Sequence, residues 1–225
     1  MDRVKAIYRE SLAEKTVKPG LAVEIKNLME NLRSALDYAA AGLFAKYGKS
    51  EKANPRIYFP YALENQTADE FKRANRVEAC IPGLSTARSD IVAQLESYQA
   101  FSNGANVWLP RFMDLNNENK HEKLTPQARR ETKELRLTSG GASISIGQGA
   151  SISIGKGASI QIGSLVIPGG QTFDVNKPPA TVGPGKTEVV TWVSFDFASN
   201  GEAVIPFLRR SLEGIDRIVT ELAAT

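Results

Sequence analysis

Side chains with chemistry to offer gather in two short stretches. "LNNENKHEKL", 115–124, holds His121, the only histidine among 225 residues. "NLRSALD", 31–37, carries Arg33 and Asp37. An imidazole titrates near neutral pH, which makes His121 the candidate catalytic residue, a general acid or base. Arg33 and Lys120 are the cations that would hold a phosphate, and Asn117 and Asn119 add amide groups to a binding set completed by Asp37. Helical spacing fits this grouping, because Asp114, Asn117, His121 and Leu124 follow steps of three and four and share a stripe bordering the core. Asn119 lies four after Leu115, again on an inward side. On the earlier helix Arg33 sits ~100° and Asp37 ~140° from the centre of the apolar stripe, at the rim where a neighbouring helix can reach.

The same residues have a structural reading, and the residue types favour it. Asn116 or Asn117 caps a turn. His121 packs at a core edge and bonds a carbonyl or Asp37, while Arg33 and Asp37 bridge two helices and fix their register. Acid–base catalysis would want a second acid or a second histidine, and none is advertised. The balance therefore leans away from an enzyme. No cofactor is expected. One cysteine and one histidine exclude Cys- and His-cluster metal sites, and no carboxylate spacing marks a magnesium site. Cys80, in "VEACIPG", reads as packing at a helix end.

The elements that must position these residues follow from periodicity. The first 137 residues read as a helical body. In "LAVEIKNLMENLRSALDYAAAGLF" the apolar residues Leu21, Ile25, Leu28, Leu32, Ala35, Leu36, Ala39 and Leu43 form one stripe after Pro19-Gly20. "NPRIYFPYAL" interrupts with two prolines. Thr67 and Glu70 make a capping box for a helix running to about Cys80. Ser85 or Thr86 caps the next, with Ile91, Leu95, Tyr98 and Phe101 on one side. A further helix covers "WLPRFMDLNNENKHEKL" until Pro126.

Composition changes at Ser139. "GASISIGQ GASISIGK GASIQIGS" is an octapeptide present three times over 141–164. Alternation of isoleucine and serine predicts strands with one greasy and one serine-covered face, and "GQG" and "GKG" predict turns. Pairing 144 with 152 and 146 with 150 would make an antiparallel meander; a short solenoid is the competing arrangement. "IGKGASI" resembles the hexapeptide repeats of left-handed β-helix acyltransferases, but the period is eight and the histidine chemistry of that family has no partner here. "TEVVTWVSFDF" reads as a long strand, "SNGE" as a hairpin turn within 187–205, and "PFLRRSLEGIDRIVTELAA" as a last helix with Leu208, Leu212, Ile215, Val219 and Leu222 inward. The expected fold class is α+β. A helical bundle, 1–137, is completed by a C-terminal helix, 206–225, that docks on it, with an antiparallel β-rich insertion at 138–205.

Hydrophobic residues at 42% and charged residues at 24% are those of a globular chain. A net charge of +3, from 28 basic and 25 acidic side chains, gives little support to a nucleic-acid partner. The densest basic stretch, "KHEKLTPQARRETKELR", interleaves acids and reads as a solvated helix face. No apolar run is long enough for a membrane span, and the charged "MDRVKAIYRESLAEK" is no signal peptide, so a cytoplasmic protein is expected. An unknown protein partner or a homodimer is the expected association, with strand addition to the β insertion as its mode.

"NLRSALDYAA" (31–40), "YFP" (58–60) followed by "DEF" (69–71), and "LNNENKH" (115–121) together resemble a widespread bacterial family whose activity is not assigned. Its pattern is an Asn-Leu-Arg-Ser-Ala-Leu-Asp helix, a Phe-Pro segment and an Asn-rich element ending Asp-Lys-His-Arg. The likeness spans most of the chain outside 138–187. That family is in turn similar to HEPN helical bundles, which include RNA-cleaving toxins and antiphage nucleases. The resemblance implies a helical bundle and, as the alternative function, an RNase-like or nucleotide-acting protein using His121 and Arg33. The chain departs from both patterns. Asn119 stands where the family has Asp, and Glu122 where it has Arg. Arg111 precedes His121 by ten positions, too many for the Arg-to-His spacing of HEPN nucleases.

Overall fold

The structure, a computed structural model, describes residues 1–14, 18–121 and 127–225, and of 119–121, 127–129 and 192 the backbone alone. The fold class is α+β: helices come first, strands are inserted, and a helix ends the chain. Two compact units divide it. One comprises Met1–Ala128 with Asp196–Thr225, the other Arg129–Phe195.

The helical unit is built on one long helix. α1 (Asp2–Ala13) leads to α2 (Pro19–Tyr47), whose proline stands at its start, where a missing N–H is harmless. Leu21, Ile25, Met29, Leu36, Ala40 and Leu43 of α2 are buried at helical spacing. α3 (Ala68–Arg73) opens with the expected capping box: Thr67 Oγ1 accepts from Glu70 N at 3.3 Å, and Glu70 Oε2 accepts from Thr67 N at 2.9 Å. The helix expected to reach Cys80 unbroken is interrupted instead. Asn75 takes a left-handed conformation, φ 47°, and α4 (Arg76–Cys80) restarts beyond it. α5 (Leu84–Ala87) and α6 (Ser89–Ser97) follow. Neither Ser85 nor Thr86 caps α6, whose N-cap is Arg88. Glu78 serves α5, accepting from Gly83 N at 2.6 Å and Ser85 N at 3.2 Å.

α7 (Trp108–His121) and α8 (Val204–Ala223) complete this unit. They meet around the start of α7: Arg217 of α8 reaches Asn106 just ahead of it (3.5 Å), and Arg111 pairs with Glu202 just ahead of α8. α8 packs on both α2 and α7, burying Phe207, Leu208, Ile215, Ile218 and Leu222. Leaving each of these in water would cost ~1.5–3 kcal/mol, which is why the helix docks as its stripe predicts.

In the second unit two expectations fail. Residues 127–137, read as helix, belong to strand β1 (Gln127–Ser139). Leu135 and Leu137 are buried while Arg136 between them is half-exposed, the period of a strand. The octads do form strands, β2 (Ala142–Gly147), β3 (Ser151–Ile154) and β4 (Ser159–Ile162), with turn glycines Gly149 and Gly157 at φ 86° and 84°. They do not pair with one another, so the meander register 144–152 and 146–150 is wrong. β2 pairs antiparallel with β1, Leu135 opposite Ile146 and Leu137 opposite Ile144. β3 pairs with β6 (Gln171–Asp174), and β4 with β5 (Leu165–Pro168). β7 (Lys186–Phe197) neighbours β1, giving the sheet order β2-β1-β7. The physical reason is the core. Ile146, Ile154 and Ile162, one from each octad, are buried together with Leu165, Ile167, Phe173 and Val175. Pairing with β5, which adds Leu165 and Ile167, and with β6, which adds Phe173, closes that cluster, which three octads with one narrow apolar face cannot do alone.

Candidate functional site

Three predicted binding residues converge, and the segment they hold is the proline-broken stretch 58–62. Arg33 and Asp37 face the same way on α2, four residues apart. Arg33 Nε donates to Asp37 Oδ2 at 3.0 Å, one terminal nitrogen of its guanidinium meets the Met113 sulfur of α7, and the guanidinium lies 5.5 Å over the Tyr61 ring. The other Asp37 oxygen, Oδ1, accepts from the backbone N–H of Phe59 at 2.9 Å. Asn117 Nδ2 donates to the Tyr61 hydroxyl at 3.3 Å. Arg33 is only 9% exposed. A guanidinium so deeply placed is tolerable because carboxylate, sulfur and aromatic face each take one aspect of it.

Asn119, Lys120 and His121 lie on the last turn of α7, and their side chains are outside the described residues. Asp37, expected as the acceptor for His121, has Arg33 and Phe59 as its observed partners.

Sequence reasoning missed Gln99 and misread Asn116, which was expected as a turn cap and is buried instead. Gln99, fully buried, holds the other end of 58–62: its Oε1 accepts from Ala62 N at 2.8 Å, and its Nε2 donates to Leu95 O at 2.8 Å and Pro60 O at 3.3 Å. An amide spending acceptor and donor on backbone in this way replaces the ladder that a Pro-broken segment cannot make. The two prolines were the available signal, since a buried irregular segment needs such a partner. The second is Asn116, 1% exposed, whose amide oxygen and nitrogen have no partner among the described residues. It shares the inward face of α7 with Phe112 and Met113.

Among the described residues, Asp37, Asn117 and Arg33 contact the 58–62 segment through the Phe59 N–H, the Tyr61 hydroxyl and the Tyr61 ring. A depression of about 740 Å³ on this unit is lined by Leu63, Glu64, Gln66, Glu70 and Asp114, and by none of Arg33, Asp37 and Asn117. At its edge Glu64 is kept below the usual carboxylate range by hydrogen bonds from Arg111, at 2.7 and 3.0 Å, while desolvation and the neighbouring Glu64 push Asp114 up. Burial pushes the half-buried Cys80 thiol up, the wrong direction for a nucleophile. Among the described residues no three His, Cys, Asp or Glu side chains are grouped to hold a metal ion, and no helix is long and apolar enough to cross a membrane.

Fold and site together define an α+β protein with a helical unit carrying a β-rich insertion. Comparison with protein-family models, with curated proteins and with solved structures matched none of them.

Proposed function

We propose that the protein is a non-catalytic interaction module, its helical unit a HEPN-like scaffold and its β insertion the partner-binding surface. The observation that carries this reading is the engagement of Arg33 and Asp37. Arg33 is buried against Asp37, Met113 and Tyr61, and both Asp37 oxygens are taken by Arg33 and the Phe59 amide. A phosphate-holding arginine would present its donors to an opening. Here Nε donates to Asp37 and a terminal nitrogen meets the Met113 sulfur, while Asp37 in turn holds the 58–62 segment by accepting from the Phe59 N–H.

The insertion offers what the helical unit does not. β3–β6 and β4–β5 are two-stranded, and β2 ends its sheet, so each ladder has an unpaired edge. Ser143, Ser145, Ser151, Ser153 and Ser159 are exposed along β2, β3 and β4, and these three strands carry no charged side chain. Charged residues and prolines normally block strand addition at such edges, and their scarcity here supports pairing with an extended segment of a partner protein. A reducing cytoplasm suits a chain whose one cysteine is free.

The test is a comparison of the wild-type chain with Ser145→Lys and Ser153→Lys variants, followed by mass spectrometry of captured proteins and by incubation with RNA. The reading predicts a protein captured by the wild type and lost from the lysine variants, with RNA left intact. RNA cleavage that disappears in His121→Ala contradicts it and installs the nuclease reading.

A further inference from the structure

The outer face of α2 is too little charged for a helix facing water. Asn27, Asn31, Ser34, Tyr38, Ala41 and Ala45 are all exposed, and they follow one another by four, three, four, three and four residues. That is the 3.5-residue repeat of a helix–helix seam. No charge stands on it, although α2 has charges to place: Lys26 pairs with Glu30 at 3.8 Å and Glu24 with Arg3 at 2.9 Å, beside the stripe. Tyr38, at the middle, is 78% exposed. Next to it lies a mostly apolar groove of about 520 Å³, lined by Ala35, Ala39, Gly42 and, at its end, Lys46 of α2 and by Val219 and Leu222 of α8.

We infer that this face is the interface between two copies of the chain, related by a two-fold axis crossing α2 at the level of Leu36. The argument is self-complementarity. Reversing the stripe end for end about residue 36 sets Tyr38 against Ser34, Asn31 against Ala41 and Asn27 against Ala45. A larger side chain meets a smaller one at every pair, in both halves at once, as a two-fold interface requires. Tyr38 of the second copy enters the hole bounded by Asn31, Ser34, Ala35 and Tyr38. The area is adequate. α2 has 29 residues; at 1.5 Å per residue it is about 43 Å long, and with the adjoining rim of α8 about 20 Å wide. That offers on the order of 800 Å² per copy, the size of a standard stable interface. The inference does not depend on what the β insertion binds.

Sedimentation velocity of the full chain tests it, with Ala41→Glu, Asn31→Lys and the double variant. The wild type sediments as a dimer. Each single variant buries one sign of charge at the seam and weakens the dimer by ~100-fold or more. The double variant sets a lysine against a glutamate twice across the axis and recovers dimerisation. Melting followed by circular dichroism, at a concentration low enough that the wild type is also monomeric, stays near the wild-type value in all three, because the substituted positions are exposed in the single chain. A wild type that remains monomeric at about 100 µM, well above the Kd of a specific interface of this size, overturns the inference. So does an Ala41→Glu variant that dimerises like the wild type, or a double variant no better than the single ones.

Discussion

Asp37 accepts two hydrogen bonds of different kinds, one from a buried guanidinium and one from the backbone of the segment it holds. Removing it leaves Arg33 charged and unpaired at 9% exposure and orphans the Phe59 N–H. Breaking a largely buried pair from one side costs ~3–5 kcal/mol, and partial exposure of the Asp37 carboxylate, 26%, pulls the expectation to the lower end of that range. Asp37→Ala should therefore lower the melting temperature by roughly 6–12 °C for a unit of this size. Arg33→Met removes the charge while keeping apolar bulk against Met113 and Tyr61, and should cost less. The double variant should be more stable than the sum of the two losses implies, by ~1–2 kcal/mol in a urea-unfolding cycle, because the unpaired charge is gone. Additive losses would mean that the two side chains do not act as a pair.

α7 and α8 meet through a glycine. A methyl group at Gly214 would stand 2.2 Å from the Trp108 ring, so the indole lies flush on the α8 backbone and cannot retreat from a buried site. Gly214→Ala should destabilise the helical unit by ~1–3 kcal/mol despite the helix propensity that alanine adds, read as a lower melting temperature and altered Trp fluorescence. That contact was not legible in "RRSLEGIDR", where a glycine inside an amphipathic helix looks like a mere weakness. Local signals were legible: the Thr67–Glu70 box, the stripes of α2 and α8, and the Arg33–Asp37 spacing all arise within a few residues. Long-range choices were not. β1 hides its alternation, since Leu135 and Leu137 are its only large apolar residues and the charged residues before them fit a helix face equally well. The octads conceal their pairing because every repeat has the same alternation. Any register satisfies it, and the decision falls to Ile167 and Phe173 on strands outside the repeat. The partners of Arg33 and Asp37 were hidden for the same reason. Tyr61 and the Phe59 amide reach them only when the Pro-broken segment is folded back.

At the scale of the molecule, the chain leaves a helical unit, builds a second hydrophobic core, and returns to finish the first. Each core is complete in itself. Phe207, Leu208 and Leu222 come back from the far side of the insertion to pack with the residues that preceded it, while the three octads close on β1, β5 and β6. A scaffold with an inserted binding module needs this independence, whereas a hydrolase with its site between the units would not tolerate loss of either. The direct measurement is thermal unfolding, by far-UV circular dichroism, of a chain in which 129–195 is replaced by a short Gly/Ser linker joining Ala128 to Asp196. The account predicts a helical spectrum and one cooperative transition within a few degrees of the helical transition of the intact protein. A broad, non-cooperative loss of helix would show that the insertion is part of the helical core, and would contradict the account.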